Sequence, residues 1–227
     1  MHVTGRVRSM LTALTACLAL AACGGDGGST GNATAGQGSG LGPERYEALD
    51  AVYVAAAAFD VFAEDEDADP RDFAEAAQPT IEACDALDGE DELLAELKRS
   101  CPLVTELTEQ LLKFSDCAEG DPDACVTAVS DGRAIMRQII SLGRRSDGVV
   151  NRSELSSACK QGLVSPPAGY DVIAQYGRGF AYLQRALRTG SEADNATAQS
   201  ILTAAGADAK RVPSGKQLLA AFRRGCA

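Results

Sequence analysis

A serine and a lysine three residues apart match a known nucleophile motif. Ser157-Ala158-Cys159-Lys160 fits S-x-x-K, in which the lysine can activate the serine for acyl transfer. The match is incomplete, because Ser130-Asp131-Gly132 only approximates the S-D-N element and precedes the serine, and no K-T-G follows. Cys159 is also a disulfide candidate, so helix capping and packing account better for this stretch.

Alternating acids at Asp65, Asp67 and Asp69 match the first three ligand positions of a calcium-binding loop. The remaining positions do not match the calcium-loop pattern, since Pro70 replaces the turn glycine and Ala76 replaces the bidentate glutamate. We therefore expect a solvated linker, and we assign no metal and no cofactor. Two carboxylates at the right separation would support glycoside hydrolysis, but the sequence marks no such pair.

Histidine chemistry is absent from the region expected to fold, because the only histidine of the chain is His2. Ser-His-Asp or Cys-His catalysis, His-ligated zinc and a histidine pH switch are therefore excluded. The chain carries 21 Lys and Arg against 32 Asp and Glu, and it contains no nucleic-acid-binding motif. Nucleic acid is accordingly a poor candidate, and we expect none as a partner.

Apolar residues at three- and four-residue steps predict helices through most of the chain. No sustained period-two run of β-branched residues indicates a strand. The predicted fold is all-α, a disulfide-stapled bundle of about six to eight helices. The expected helices cover 44–64, 69–87, 93–114 with a break at Pro102, 121–143 ending at Gly143, a short helix capped at Asn151 and reaching Cys159, 170–190, 191–205 and 214–226.

The first 22 residues have the pattern of an export signal. Arg6 and Arg8 precede an apolar run from Met10 to Ala22, which then gives way to glycines. At about 13 residues the run is shorter than the roughly 20 that a transmembrane helix requires. We expect residues 1–22 to be a cleaved signal peptide.

Leu20-Ala21-Ala22-Cys23 resembles the lipobox of bacterial lipoproteins. The resemblance covers residues 1–23 only, and it implies that Cys23 is diacylated and becomes the new N-terminus. Gly24 follows, where aspartate would imply retention at an inner membrane. The implied location is an outward-facing bacterial membrane surface, either the cell membrane or an outer membrane. An ordinary secretory signal with an incidental cysteine is the alternative.

Residues 23–42 are predicted to be a flexible tether, because Gly24 to Gly42 contains nine glycines among mostly small polar residues. A coil of this length reaches about 24 Å. Such a tether would let the single helical domain predicted for residues 43–227 search for a partner, or would merely hold that domain clear of the lipid.

Six cysteines remain in the predicted domain, and an exported compartment favours three disulfides. Six cysteines allow 15 connectivities. The simplest scheme pairs neighbours, although Cys84 and Cys101 would be offset along their helices unless the chain breaks at Pro102. No Cys-x-x-Cys or histidine supports a metal or redox site instead. The proposed pairs are Cys84–Cys101, Cys117–Cys125 and Cys159–Cys226.

Charge divides the domain into two halves. Residues 44–125 hold 24 acidic and 5 basic residues, whereas residues 126–227 hold 7 acidic and 14 basic residues. Three interpretations are open: the acidic and basic helices face each other, their charges remain solvated, or arginines on neighbouring turns form a cationic surface for anionic lipid or polymer. The arginines that suggest such a surface are Arg133, Arg137, Arg178, Arg185 and Arg188.

These observations favour a lipid-anchored, non-enzymatic module of the bacterial envelope. Its expected contacts are the membrane, through the lipid on Cys23, and an envelope protein or an anionic polymer. A small-ligand or metal-ion binding lipoprotein is the second hypothesis, and a carboxylate-dependent hydrolase is the third.

Overall fold

The computed structural model describes residues 41–64, 72–118 and 120–227 of the chain. In these ranges the regular elements are helices, and none of the residues lies in a strand. In chain order the helices are α1 Pro43–Glu64, α2 Phe73–Asp85, α3 Glu92–Lys98, α4 Pro102–Ala118, α5 Pro122–Arg152, α6 Ser157–Leu163, α7 Pro167–Thr189, α8 Glu192–Ala209 and α9 Gly215–Cys226.

The predicted all-α, disulfide-stapled bundle is confirmed. Seven of the described helices are 12 residues or longer, and the short α3 and α6 have seven residues each. None of the described helices is both long enough and apolar enough to cross a membrane.

Helix ends follow local capping chemistry. The carboxylates of Asp91 and Asp121 each accept two N–H bonds, at 2.9–3.2 Å, from the first turn that follows. These bonds satisfy N–H groups that lack a partner within the helix. At the C-terminal end of α7, Gly190 adopts a left-handed φ of 69° and terminates the helix, as the sequence predicted.

Helix α5 is the centre of the bundle and contacts α3, α4, α6 and α7. Helix α8 covers α7, while α2 links α1 to α4. The last helix, α9, packs between the first helix and the short α6. The beginning and end of the described chain therefore share one side of the fold.

Aromatic side chains fill two parts of the core. Phe222 of α9 is fully buried and stacks on Tyr46 and Tyr53 of α1, with ring centroids 5.2 and 4.5 Å away. Phe114 and Phe180 stack at 5.5 Å between α4 and α7. The first of these clusters joins α1 to α9, and the second fixes α7 beside α4.

Three disulfides join cysteines in the order of the neighbour scheme: Cys84–Cys101, Cys117–Cys125 and Cys159–Cys226. The chain does break before Pro102, since α3 ends at Lys98 and α4 begins at Pro102. Cys101 lies in that break, which brings its Cα within 5.7 Å of the Cys84 Cα. The break thus removes the axial offset expected of a continuous helix.

The predicted end of a helix at Gly143 is wrong, because α5 continues to Arg152. The ring of Tyr170 occupies the space beside Gly143, where an added Cβ would lie 2.9 Å from Tyr170 Cε1. Gly143 therefore permits close packing of α7 on α5. The helix start predicted at Asn151 is also wrong, since Asn151 is in the last turn of α5 and Ser156 caps α6.

Several predicted features lie outside the described residues. They include the signal peptide 1–22, the lipidation site Cys23, most of the tether 23–42 and the acidic run with Asp65, Asp67 and Asp69.

Ion pairs join the acidic and basic halves of the domain. Among the described residues they are Asp50–Arg223 at 2.6 Å, Lys113–Asp131 at 2.5 Å and Glu96–Arg145 at 3.4 Å. The Asp50–Arg223 and Glu96–Arg145 pairs thus neutralise part of the opposite charge within the domain, as one interpretation of the charge pattern expected, whereas Lys113–Asp131 pairs the minority charge of each half.

Candidate functional site

The Ser157–Lys160 pair does not form an evident nucleophile site. Ser157 is exposed at the first position of α6, and the Lys160 ammonium donates to the carbonyl oxygen of Asn151 at 3.1 Å. Cys159, between them, is fully buried in its disulfide. Residues 157–160 therefore form the start of α6 and contribute Cys159 to a disulfide.

A groove between α6 and α9 is the candidate binding site. Its cavity volume is about 530 Å³, within the range of ordinary ligand pockets. Two helices and the turn that joins α8 to α9 supply its walls. The lining residues are Ala158, Gln161, Gly162, Arg211, Pro213, Gln217, Leu218, Ala221, Arg224 and Gly225.

Glycines let the two helices meet closely beneath this groove. A Cβ added at Gly225 would lie 2.9 Å from the carbonyl carbon of Ala158, and one at Gly162 would lie 3.1 Å from the Cα of Phe222. The Gly162 carbonyl accepts a hydrogen bond from the Tyr53 hydroxyl at 3.2 Å. The adjacent Cys159–Cys226 disulfide crosslinks the same two helices. The groove floor is therefore held by packing, a hydrogen bond and a covalent bond.

Replacing Gly225 by alanine is expected to lower the free energy of unfolding by about 1–3 kcal/mol, because the new methyl group meets backbone atoms that cannot rotate away. Chemical denaturation of the variant and the parent measures this change. Gly89→Ala is the matched control, since an added Cβ at Gly89 meets nothing within 4 Å. Equal stability of the two variants would contradict the close helix contact.

The charged side chains that line the groove are all cationic. Arg211 and Arg224 are exposed, and the described lining contains no Asp or Glu. Arg211 has an ion pair with Asp208 at 3.3 Å. Arg224 makes no ion pair with any residue in the described ranges. The groove thus presents one guanidinium, that of Arg224, without an ion-pair partner among the described residues, and a second, that of Arg211, whose ion pair with Asp208 is exposed.

The segments around the groove are also cationic. Residues 155–163 and 209–227 contain no acidic residue, and their basic residues are Lys160, Lys210, Arg211, Lys216, Arg223 and Arg224. Of these, Arg223 already has an ion-pair partner within the fold, because its Nε and Nη2 donate to Asp50 at 2.6 and 2.8 Å. These bonds lower the pKa of Asp50 and raise that of Arg223. Arg223 therefore holds α9 on α1.

The arginines singled out from the sequence are divided among different roles. Arg185 pairs with Asp194 at 2.8 Å and lies over the Tyr182 ring. Arg133 donates to the side-chain oxygen of Gln184 at 2.5 Å. Arg137, Arg178 and Arg188 are exposed. Two of the five are thus engaged in contacts within the fold, which weakens the expected cationic surface on α5 and α7.

A second polar cluster joins α5 to α7 and serves the fold. Asp147 accepts from the Ser165 N–H at 2.8 Å and from the Tyr170 hydroxyl at 2.7 Å. Burial raises the pKa of Asp147 despite these bonds, and burial also raises the pKa of Tyr170. The carboxylate is held by its neighbours and connects the start of α7 to the last two turns of α5.

Sequence reasoning missed Arg211 and Arg224 as site residues. A usable signal was present, since the last 19 residues combine five basic side chains with no acidic one. The predicted Cys159–Cys226 bond already placed α6 near α9, but the sequence did not reveal that the two helices enclose a groove lined by these arginines. No group of three or more His, Cys, Asp or Glu residues among those described is placed to hold a metal ion.

Comparison of the chain with protein-family models, with curated proteins and with solved structures finds no match.

Proposed function

We propose that this protein is an exported lipoprotein, anchored at Cys23, whose helical domain is a non-enzymatic binding module of the bacterial envelope. The Leu20–Cys23 motif supports the anchor. The disulfides support export, because such bonds persist in oxidising compartments and are rare in the cytosol. All six cysteines beyond residue 41 are paired in disulfides.

The observation that carries the binding role is the α6–α9 groove. It combines a preformed concave shape, a crosslinked floor and exposed guanidinium groups, one of which has no ion-pair partner among the described residues. Rigid sites of this kind lose little conformational entropy when a ligand binds. The partner expected from the sequence is an envelope protein or an anionic polymer, and no nucleic acid is expected.

The groove begins at the end of the domain where the tether would join. Arg223 near the end of α9 pairs with Asp50 in the second turn of α1, and Phe222 stacks on Tyr46. The C-terminal end of α9 therefore lies beside the N-terminal end of α1. An anchor at Cys23 would keep this end of the groove near the membrane surface.

The anchor is tested by Cys23→Ser, which removes the thiol that would take the lipid. We expect the native protein to partition into the detergent phase of a phase-separating detergent and the variant to remain in the aqueous phase. Cys17→Ser, which changes a cysteine within the signal segment, should leave partitioning unaltered. Aqueous partitioning of the native protein, with an unmodified N-terminal mass, would contradict lipidation.

The binding role has its own readout. Purified protein carrying Cys23→Ser should sediment with washed envelopes of the host in a saturable manner. Retention that does not saturate, or none at all, would contradict a specific partner. Catalytic turnover of an envelope substrate by the same protein would contradict the non-enzymatic role.

A small-ligand binding protein is the second candidate function. The groove volume of about 530 Å³ favours it, because drug-sized ligands occupy pockets of this size. A thermal-shift screen against small anionic metabolites distinguishes it from polymer or protein binding. A ligand that raises the melting temperature of the parent, but not of Arg224→Gln, would support this candidate.

A further inference from the structure

We propose that the α6–α9 groove binds a linear polyanion, a non-protein polymer with phosphate or carboxylate groups along its length, and that Arg211 and Arg224 are its cationic contacts. The inference deepens the binding role proposed above and rests on it for the location of the polymer in the envelope. Binding by the groove itself is a separate property, which purified protein can test.

Charge selects an anion as the occupant. Arginine is the side chain best suited to planar, bidentate contacts with phosphate and carboxylate groups. Arg224 has no ion-pair partner among the described residues, and no acidic side chain of the described lining competes for it. The exposed amides of Gln161 and Gln217 add polar groups along the groove.

The placement of the two lining arginines favours a chain over a single small anion. Gln217 and Arg224 both line the groove and lie seven residues apart, which is about 10 Å along α9. Arg211 enters from the turn before α9, so the two guanidinium groups belong to opposite ends of that helix. One exposed ion pair contributes little. A polymer that places successive charges beside both arginines gains from each contact.

The concave shape of the groove favours a polymer chain over a lipid surface as its ligand. The groove is concave, and its floor of Gly162, Ala221 and Gly225 lies between two helices. A single extended chain can enter such a groove, whereas a flat bilayer contacts only its rims. The floor is crosslinked by the Cys159–Cys226 disulfide, so the site is preorganised.

The test uses the full processed chain carrying Cys23→Ser, which keeps a lipid from contributing to binding. Isothermal titration calorimetry at low salt measures binding of inorganic polyphosphate and, in a second arm, of polygalacturonate. Binding of either polymer supports the proposal, and the stronger arm identifies the anionic group. Arg211→Gln and Arg224→Gln should each weaken binding about fivefold, the upper end of what one exposed ion pair contributes.

Arg188→Gln is the matched control, because Arg188 is exposed on α7 and does not line the groove. It should change affinity less than twofold. An equal loss in all three arginine variants would show binding to net charge alone and would overturn the proposal. Unchanged binding in Arg211→Gln and Arg224→Gln would also overturn it.

Two other ligands complete the design. Orthophosphate that binds as tightly as polyphosphate, per phosphate group, would show a small-anion site. Vesicles of phosphatidylglycerol and phosphatidylcholine that retain the protein when both polymers fail would show a lipid-binding face. Either result, or no binding of either polymer, overturns this proposal. Each leaves the detergent-partition result intact, so failure of the groove and failure of the anchor are distinguishable.

Discussion

Removing the Cys159–Cys226 disulfide with the double variant Cys159→Ala and Cys226→Ala is expected to lower the free energy of unfolding by about 4 kcal/mol. The two cysteines are 67 residues apart, so the bond restricts a long loop in the unfolded chain. Both are buried, and the bond ties α6 to α9 at the groove. Urea denaturation under non-reducing conditions measures the loss.

The double variant Cys117→Ala and Cys125→Ala is the matched control. Its cysteines are only eight residues apart, and both are partly exposed. The same loop-entropy relation gives about 2.5 kcal/mol for this bond. The two losses should therefore differ by about 2 kcal/mol, and a larger loss for the short loop would contradict the argument from loop length.

Phe222→Ala is expected to destabilise the protein by about 3–5 kcal/mol, the usual cost of removing a buried phenylalanine ring. The ring is fully buried and stacks on both Tyr46 and Tyr53. Its loss would leave a cavity between α1 and α9 and would loosen Tyr53, whose hydroxyl bonds the groove floor at Gly162. Differential scanning calorimetry should show a melting temperature lower by roughly 10 °C.

Leu187→Ala is the control for that truncation. Leu187 is an apolar residue of α7 whose surface is 41% exposed, so little buried area is lost. The change should stay within about 0.5 kcal/mol. A Phe222→Ala variant as stable as Leu187→Ala would show that the α1–α9 contact contributes little to folding.

The sequence predicted helices well where periodicity and capping agreed. Asp121 and Pro122 start α5, and Gly190 ends α7, because these residues act through bonds and dihedral angles within their own turn. Pro102 likewise separates α3 from α4. Signals that operate over one turn can be recognised without knowledge of the tertiary structure.

Gly143 shows where such signals fail. A glycine at the end of an apolar stripe suggests a helix end, but here it accommodates Tyr170 from another helix. The deciding contact joins residues 27 positions apart in the sequence, and periodicity within α5 contains no information about it. The helix consequently extends nine residues beyond the predicted end.

The groove could not be predicted from the sequence either, because it too depends on contacts between residues far apart in the chain. Arg211 and Arg224 are ordinary exposed arginines until α6 packs beside α9. The helix pairing depends on Gly162 and Gly225, whose small size matters only in that contact. The cysteines were more informative, since their number and order already favoured the Cys159–Cys226 bond that joins the two helices.

The contact between α1 and α9 sets the order in which this fold can be completed. As the chain emerges from the ribosome or a translocation channel, α1 appears first, with Leu49, Val52 and Tyr53 uncovered. The last helix, whose Phe222 stacks on Tyr53, follows more than 150 residues later. Contacts of such sequence separation slow folding, so the nascent chain exposes an apolar surface during most of its synthesis. Helix α9 closes the structure, and the oxidation that forms Cys159–Cys226 can only follow its arrival.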